Sequence, residues 1–322
     1  MLRRVRTAYE DGEFSGIEFG DPVQDISALF LHATGFNAMT YQSLLAPLGL
    51  RARMAAMDMR GHGRSTMPAK TSIASWRSFR DDVIKWIEKH APQGLVLSGH
   101  SMGGCVALLV AGKRPDLVKG LVLADPVILS PKVYRFNHLM PFSRLLMRRH
   151  KMAKAACKRR ADYGSVAEAK TSYEGRGAFA SWREPFLDDY LLDGLERTDN
   201  NPRDSEDQTW SLLCAPKMEA ATFAAQRNRP WSALRKVKKN KIPLIILRPE
   251  KGAVLVADEA KRILRRYPDT IIKTMRGTTH FLPMEAPYAV RDELSAMISL
   301  LIEGFAIGEQ GPVRRSLQGH KG

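Results

Sequence analysis

A serine flanked by glycines is the feature of this sequence most able to do chemistry. The apolar run Leu95–Leu97 leads into Ser98-Gly99-His100-Ser101-Met102-Gly103-Gly104, and a helical pattern follows from Cys105. A Gly-x-Ser-x-Gly segment between a strand and a helix is typical of a sharp turn that exposes the serine hydroxyl, because glycines let the neighbouring backbone approach closely. We interpret Ser101 as a nucleophile. An ordinary glycine-rich turn is the alternative, but it gives no reason for a serine at this position.

A serine hydroxyl is a weak nucleophile at neutral pH and needs a base, normally a histidine held by a carboxylate. Among the eight histidines, His280 is the best candidate. It lies in a loop after the last predicted strand and before the C-terminal helix, at the sheet edge where a side chain can reach the serine. A hydrogen-bonding role within its own loop is the alternative.

Attack on a carbonyl also places negative charge on its oxygen, which two backbone N–H groups can stabilise. We expect one donor to be the N–H of Met102, directly after the nucleophile. The second should come from the turn His32-Ala33-Thr34-Gly35-Phe36. Thr34 is the first choice within this turn and Phe36 the second, while His32 is interpreted as a residue that braces the loop.

Short apolar runs alternate with amphipathic stretches along most of the chain, which favours an α/β fold with a mostly parallel sheet flanked by helices. Strands are predicted near 26–32, 52–58, 94–99, 119–125, 243–248 and 270–275, after an opening hairpin between Arg3 and Phe19. Helices are predicted over 38–49, 74–90, 102–113, 257–266 and 287–303. The stretch from about 128 to 240 has no clear strand, and we interpret it as a helical insertion.

Composition and charge limit the classes of protein to which this chain can belong. It has 322 residues, of which 44% are hydrophobic, and 50 Lys and Arg against 34 Asp and Glu give a net charge of +16. These values are typical of a soluble globular protein and exclude collagen-like or broadly disordered chains. Much of the charge lies in the insertion, where a solvated helix face is the simpler explanation, and weak association with an anionic membrane is the alternative. We expect no specific nucleic-acid binding, because the basic residues lack interleaved aromatics.

The cysteines and the apolar runs indicate where the protein resides. Cys105, Cys157 and Cys214 are too few and too scattered for a disulfide framework or a zinc cluster. No apolar run approaches the roughly 20 residues that cross a bilayer, and acidic residues follow the basic N-terminus where a secretory signal needs an apolar stretch. We therefore expect a cytoplasmic protein without metal or cofactor. The sequence gives no indication of the oligomeric state.

Four motifs in order resemble the α/β-hydrolase family. They are His32-Ala33-Thr34-Gly35-Phe36, Asp58-Met59-Arg60-Gly61-His62-Gly63-Arg64-Ser65, Gly99-His100-Ser101-Met102-Gly103 and Gly277-Thr278-Thr279-His280-Phe281. The resemblance implies an α/β-hydrolase core of residues 1–127 and 241–305, with a helical cap of 128–240 inserted between strands 6 and 7, and a basic flexible tail over 306–322. The second motif is similar to a structural turn beside the site, so Asp58, Arg60 and His62 receive no catalytic role.

The third catalytic residue is where this sequence departs from the family pattern. The usual acid follows the seventh strand, where this chain has Gly252 and Ala253. Some members instead take the acid from the end of strand six, and Asp125 stands there. We prefer Asp125 over Glu250 and Asp258. Alternatively, Asp125 has no catalytic role and caps the loop that follows it, ahead of Pro126.

The resemblance implies a serine hydrolase, esterase- or lipase-like, that cleaves a carboxylic ester or similar acyl bond of a small, mostly apolar substrate through an acyl-enzyme intermediate. Phe36, His100 and Phe281 are expected to contact the substrate. Apolar residues of the insertion could line its pocket, namely Met140, Phe142, Leu145, Leu146, Met147, Trp182, Phe186, Trp210 and Trp231. The alternatives are a C–C bond hydrolase, a cofactor-free perhydrolase, or a non-catalytic binding protein of the same fold. The displaced acid gives the binding protein weak support, and the intact Ser101, His280 and oxyanion loop argue against it.

Overall fold

The computed structural model describes the backbone of residues 1–140, 142–199 and 208–306. Apart from residue 306, the predicted basic tail of 306–322 lies outside these described residues. The described residues therefore include both predicted parts of the core and most of the insertion.

The strands form one large sheet and one small sheet. They are β1 (Arg3–Tyr9), β2 (Gly12–Phe19), β3 (Ile26–Leu31), β4 (Arg53–Met57), β5 (Leu95–His100), β6 (Val118–Ala124), β7 (Asp162–Tyr163), β8 (Leu195–Asp199), β9 (Gln208–Leu212), β10 (Leu244–Pro249) and β11 (Ile271–Met275). The large sheet has the order β1-β2-β4-β3-β5-β6-β10-β11. Only the β1–β2 and β2–β4 pairs in it are antiparallel, so the prediction of a mostly parallel sheet is confirmed.

The central strands read as continuous apolar runs because helices cover both faces of the sheet. Every residue of β5 is buried, and β3 is buried at all positions but one. The six predicted parallel strands agree with the structure to within one residue at each end. All of them end at the same edge of the sheet, where the loops that follow β3, β5 and β6 meet.

The helices are α1 (Gln42–Leu45), α2 (Arg77–His90), α3 (Met102–Lys113), α4 (Pro131–Leu139), α5 (Ser143–Arg148), α6 (Lys151–Cys157), α7 (Val166–Tyr173), α8 (Phe186–Leu192), α9 (Pro216–Ala224), α10 (Pro230–Lys239), α11 (Ala257–Arg266), α12 (Leu282–Glu285) and α13 (Pro287–Ala306). The predicted helix over 38–49 is wrong in part. It is divided into two 3-10 turns and the short α1. The α1 helix ends before Pro47, which has no N–H with which to continue it. Within the described ranges, no helix is both long enough and apolar enough to span a bilayer.

Two apolar cores lie on the two faces of the large sheet. One includes Trp76, which directly precedes α2, Phe79 of α2 and Val106 of α3. The other includes Phe186 and Leu294, from α8 and α13. The helix α3 is apolar and buried around its whole circumference up to Gly112, as expected for a helix enclosed by a sheet and neighbouring helices.

The insertion between β6 and β10 contains strands as well as helices. The short strands β7, β9 and β8 form an antiparallel sheet, with Tyr163 opposite Trp210. The prediction that this segment has no strand is therefore wrong. The strands were missed because β7 has only two residues and β8 reads Leu-Glu-Arg-Thr-Asp, which contains no apolar run.

Polar contacts attach the insertion to the core near the carboxyl edge of the sheet. The buried Asp193 accepts a hydrogen bond from Arg64 Nε at 2.5 Å and also pairs with Arg4. Asn37 Nδ2 donates to the carbonyl of Tyr190 at 3.0 Å. Because Asn37 follows the loop after β3, these contacts place the insertion over the loops that end the central strands.

At the turn between β5 and α3, the backbone of α3 packs closely against the ends of β3 and β5. A Cβ at Gly103 would lie 2.2 Å from the carbonyl oxygen of Leu31, and a Cβ at Gly99 would lie 2.5 Å from the carbonyl carbon of Gly103. Any side chain at either position would displace α3 from the sheet. The glycines of this motif are therefore required for the first turn of α3 to pack against the end of β3.

Replacement of Gly103 tests this packing. We expect Gly103→Ala to lower the free energy of unfolding by about 3 kcal/mol, because the new methyl group meets immovable backbone. In Gly164→Ala, the matched control, the methyl group meets only the mobile carboxylate of Glu168, at 3.3 Å, and the change should stay within about 0.5 kcal/mol. Urea unfolding measures both, and equal losses in the two variants would contradict the packing argument.

Candidate active site

Ser101 occupies the turn that follows β5. Its φ is +56°, a conformation that non-glycine residues adopt rarely and at a cost in free energy. Its N–H donates to the carbonyl of Ala124 at 2.9 Å, and its own carbonyl accepts from the N–H of Val127 at 3.1 Å. The end of β6 thus holds the strained backbone in place.

The structure brings Ser101, His280 and Asp125 into one hydrogen-bonded series. His280 Nε2 lies 3.0 Å from Ser101 Oγ, and His280 Nδ1 lies 2.6 Å from Asp125 Oδ2. With Nδ1–H donating to the carboxylate, Nε2 keeps the lone pair that can accept the serine proton. This arrangement would let His280 take the proton of the Ser101 hydroxyl.

Asp125 is fully buried at the end of β6. Its Oδ2 also accepts the N–H of Val254 at 2.9 Å, and its Oδ1 accepts the N–H of Leu255 at 3.0 Å. These donors belong to the loop after β10, where the family usually places its acid. In this chain, that loop stabilises a carboxylate supplied by the neighbouring strand.

The two other carboxylates considered from the sequence lie elsewhere. Glu250 is exposed, and its Oε2 accepts the N–H of Gly277 at 2.9 Å, so it supports the loop that carries His280. Asp258 is exposed in the first turn of α11. Among the described residues, the carboxylate that contacts the imidazole of His280 is that of Asp125.

The two expected oxyanion donors lie beside Ser101. Met102 begins α3, and the first N–H groups of a helix have no acceptor within it. Thr34 lines the same cavity as Ser101, and its N–H donates to none of the residues that the structure describes. The N–H of Phe36, the second choice, donates to the carbonyl of Ala33 at 3.2 Å. The geometry therefore favours Thr34 over Phe36.

His32 braces the loop after β3, as the sequence predicted. Its Nε2 accepts the N–H of Met59 at 2.9 Å, so its Nδ1–H donates to the carbonyl of Ala33, at 2.8 Å. Burial, together with the neighbouring His62, lowers the pKa of His32 well below its usual value of 6.5. The neutral ring thus links the oxyanion loop to the loop after β4.

His100 does not contact the cavity, so the expected substrate contact is wrong. The ring is fully buried, with Nδ1 2.8 Å from the hydroxyl of Tyr41 and Nε2 2.7 Å from the carbonyl oxygen of His280. The Tyr41 oxygen in turn accepts the N–H of Ala33 at 3.2 Å. His100 therefore supports the backbone of His280, and Tyr41, which no sequence signal singled out, connects this support to the oxyanion loop.

A cavity of about 400 Å³ opens beside Ser101 and His280. Phe36 and Phe281, which the sequence analysis expects to contact the substrate, line it together with Tyr173 and Phe179 of the insertion. The nine apolar insertion residues offered from the sequence are not among the described residues that line it. Phe142 is 77% exposed on the outer surface, and Trp182 packs edge-on against Phe36, with their ring centroids 5.0 Å apart.

An ion pair that the sequence did not reveal forms the polar part of the cavity wall. Arg159 donates to Glu219 Oε2 at 2.6 Å and to the hydroxyls of Tyr173 and Tyr190 at 3.0 Å. Burial raises the pKa of Glu219, and Arg159 opposes that shift. The Glu219 carboxylate also packs on Gly35, where a Cβ would lie 2.7 Å from it, so the pair contacts the oxyanion loop.

The motif after β4 forms a turn beside the site. Asp58 accepts the N–H groups of Ala38 at 2.7 Å and Arg64 at 3.0 Å, and burial raises its pKa to about 7. Arg60 pairs with Asp82 at 2.5 Å. His62 is fully buried, its Nδ1 lies 3.1 Å from the carbonyl oxygen of Arg60, and burial lowers its pKa to about 4. These contacts connect the turn to the core.

Comparisons with known proteins agree with this geometry. Residues 28–293 match a family model described as the alpha/beta hydrolase family. The chain is 34% identical to 2-(acetamidomethylene)succinate hydrolase of Mesorhizobium japonicum over 97 residues, which are 30% of this chain and 34% of that protein. It is 32% identical to the monoglyceride lipase of Mus musculus over 127 residues, 37% of this chain and 42% of that lipase. The aligned part thus spans less than half the length of these relatives.

Two solved structures share the fold across nearly the whole chain. A crystal structure of E-2-(acetamidomethylene)succinate hydrolase has a TM-score of 0.73 at 20% identity, with 93% of this chain and 100% of that chain covered. A thioesterase domain from the curacin biosynthetic pathway has a TM-score of 0.71 at 19% identity, with 92% and 99% covered. At these identities the likeness concerns the fold alone.

Replacement of the buried carboxylate tests its role. We expect Asp125→Asn to lower kcat for an ester substrate by about 10⁴-fold, since an amide can orient the imidazole as the wrong tautomer and cannot stabilise its charge. Glu250→Gln and Asp258→Asn are the matched controls and should stay within about threefold of wild type. Steady-state kinetics measures all three. A large loss in Glu250→Gln with a small loss in Asp125→Asn would move the role to Glu250.

The buried His62 predicts a pH dependence of stability. Its folded pKa of about 4 lies below the usual value of 6.5, so between these values the unfolded chain binds a proton that the folded chain does not. Its contribution is complete above pH 6.5 and is lost as the pH falls towards 4. In His62→Phe this loss is absent. The unfolding free energy of wild type should therefore fall by about 3 kcal/mol relative to the variant across that window, as followed by urea unfolding, and a pH-independent difference would contradict this.

Proposed function

The chain belongs to the alpha/beta hydrolase family and has its fold, and from this premise we propose that it is a serine hydrolase that cleaves a carboxylic ester or a similar acyl bond. The observation that carries the proposal is the hydrogen-bonded series Asp125–His280–Ser101, which opens on a cavity. A protein that only binds a ligand needs no such alignment of acid, imidazole and hydroxyl.

The proposed reaction has two halves. Ser101 Oγ attacks the carbonyl carbon while His280 Nε2 takes the hydroxyl proton, and the N–H groups of Met102 and Thr34 stabilise the negative oxygen. The intermediate collapses, the alcohol leaves with the proton from His280, and the acyl group stays on Ser101. Water, deprotonated by His280, then attacks the acyl-enzyme. The bond between the acyl carbon and Ser101 Oγ breaks, the acid leaves, and His280 returns the proton to Ser101. Asp125 stabilises the imidazolium in both halves.

The proposed substrate is small and mostly apolar. The cavity walls contributed by Phe36, Phe281 and Phe179 suit an acyl or alkyl group. The name of the mouse relative, a monoglyceride lipase, supports an ester as the bond that is cleaved. The chemistry proposed here requires no cofactor.

We also propose that residues 128–240 act as a cap over the core formed by 1–127 and 241–305. The cap interpretation is supported by the cavity lining, which α6, α7 and α9 share with the loops after β3 and β5. The three free cysteines fit a reducing compartment, and we propose the cytoplasm.

A fluorophosphonate probe tests the proposed nucleophile. The wild type should be labelled covalently, and Ser101→Ala should lose all labelling because the reactive oxygen is gone. Ser172→Ala is the matched control, since Ser172 also lines the cavity but donates to the carbonyl of Ala169, and it should be labelled like wild type. Intact-protein mass spectrometry reads the label. An unlabelled wild type would favour a non-catalytic binding protein.

Activity profiling then narrows the substrate. We would measure kcat/KM on p-nitrophenyl esters of graded acyl length, beside lactones and diketone acids. An ester preference supports the proposal, and the optimal length reports the size of the cavity. Turnover of diketone acids without ester cleavage would instead favour C–C bond hydrolysis on the same residues.

A further inference from the structure

The outer surface of α4, α5 and α6 is unusually basic. Residues 126–161 contain ten of the chain's 50 Lys and Arg and not one Asp or Glu. Some of these cations have partners, such as Arg159 with Glu219 and Arg160 with Glu168. Seven are exposed and form no ion pair with a described carboxylate, namely Lys132, Arg135, Arg148, Arg149, Lys151, Lys154 and Lys158. This surface therefore presents uncompensated positive charge to the solvent.

The same helices expose large apolar side chains. Of the fifteen large apolar side chains that are exposed among the described residues, seven lie between 136 and 152. Leu139 is 76% exposed, Phe142 77% and Leu145 54%. Solvated helix faces of monomeric proteins rarely combine so many apolar groups, and such a patch marks an interaction surface. We call the exposed side chains of residues 135–152 the basic–apolar patch.

The combination of charge and apolar groups selects the partner. Anionic lipid headgroups attract the cations, and the acyl region beneath them accepts the apolar side chains, so a lipid surface satisfies both. A nucleic acid would satisfy only the cations and leave Phe142 and Leu145 in water. A second copy of the chain would bring cations against cations, with no carboxylate in 126–161 to compensate them.

The position of the basic–apolar patch relative to the cavity fits the same partner. Met152 is 48% exposed and also lines the cavity, and Ala155 and Ala156 follow it along α6. One helix thus belongs to both the outer surface and the cavity wall. Docking through the patch would bring this side of the cavity towards the lipid surface.

We propose that the basic–apolar patch docks the protein on an anionic lipid membrane. The docking is peripheral, through headgroup contacts and shallow insertion of apolar side chains. It does not depend on the proposed hydrolysis, because vesicle binding is measured without turnover. A failure of either proposal therefore leaves the other intact.

Vesicle sedimentation tests the proposal. Vesicles of phosphatidylcholine alone are compared with vesicles of phosphatidylcholine and phosphatidylglycerol in a ratio of two to one, at low and at physiological salt. We expect the full chain to sediment with the anionic vesicles and not with the neutral ones. Equal binding to both, or binding to neither, would overturn the proposal.

Charge variants separate the patch from the net charge. The triple variant Arg148→Gln/Arg149→Gln/Lys151→Gln should bind the anionic vesicles about 100-fold more weakly, and each single substitution about fivefold. The matched control Lys236→Gln/Lys238→Gln/Lys239→Gln removes the same charge from the exposed face of α10 and should bind like wild type. An equal loss in both triple variants would mean that net charge alone drives binding, and would overturn the proposal.

An apolar variant separates lipid from other polyanions. In Phe142→Ser/Leu145→Ser, binding to anionic vesicles should survive at low salt and be lost at physiological salt, where screening weakens the attraction of the cations. Binding to a DNA duplex, measured by fluorescence anisotropy, should be unchanged. If this variant bound vesicles as tightly as wild type, the surface would recognise polyanions in general and the membrane proposal would be overturned.

Discussion

The carboxylate of Asp125 is the group on which the rest of the site depends. It is fully buried and accepts hydrogen bonds from the imidazole of His280 and from the N–H groups of Val254 and Leu255. A buried carboxylate is costly unless such donors surround it. The end of β6, the loop after β10 and the loop of His280 must therefore keep their relative positions, and that requirement fixes the imidazole over Ser101.

Backbone hydrogen bonds extend this constraint to the nucleophile and the oxyanion loop. The strained Ser101 is held by Ala124 and Val127, the neighbours of Asp125. On the other side, Tyr41 and His100 join the loop after β3 to the carbonyl of His280. In the proposed reaction these groups are thus positioned before a substrate arrives, which is how preorganised sites lower a reaction barrier. The insertion supplies much of the cavity wall, including the ion pair between Arg159 and Glu219.

The sequence predicted the features that local chemistry determines. Apolar runs located the strands, and the glycines around Ser101 located the turn. Asp125 was preferred through the family resemblance, because no acid stands beside Gly252 and some members take the acid from the end of strand six. Features that depend on long-range packing were missed. His100 forms a hydrogen bond with the backbone of His280, which lies 180 residues further along the chain. The residues next to His100 in the sequence do not show whether its ring makes this bond or contacts a substrate. The pocket wall was likewise assigned to large apolar residues, whereas α6 contributes small ones, such as Ala155 and Ala156.

A crystal structure of the fluorophosphonate adduct would test the proposed arrangement of the site most directly. In it we expect phosphorus bonded to Ser101 Oγ and a phosphoryl oxygen about 2.7–3.1 Å from the backbone nitrogens of both Met102 and Thr34. We also expect His280 Nδ1 to remain hydrogen-bonded to Asp125. A phosphoryl oxygen turned away from both nitrogens, or an imidazole that has left Asp125, would contradict this arrangement.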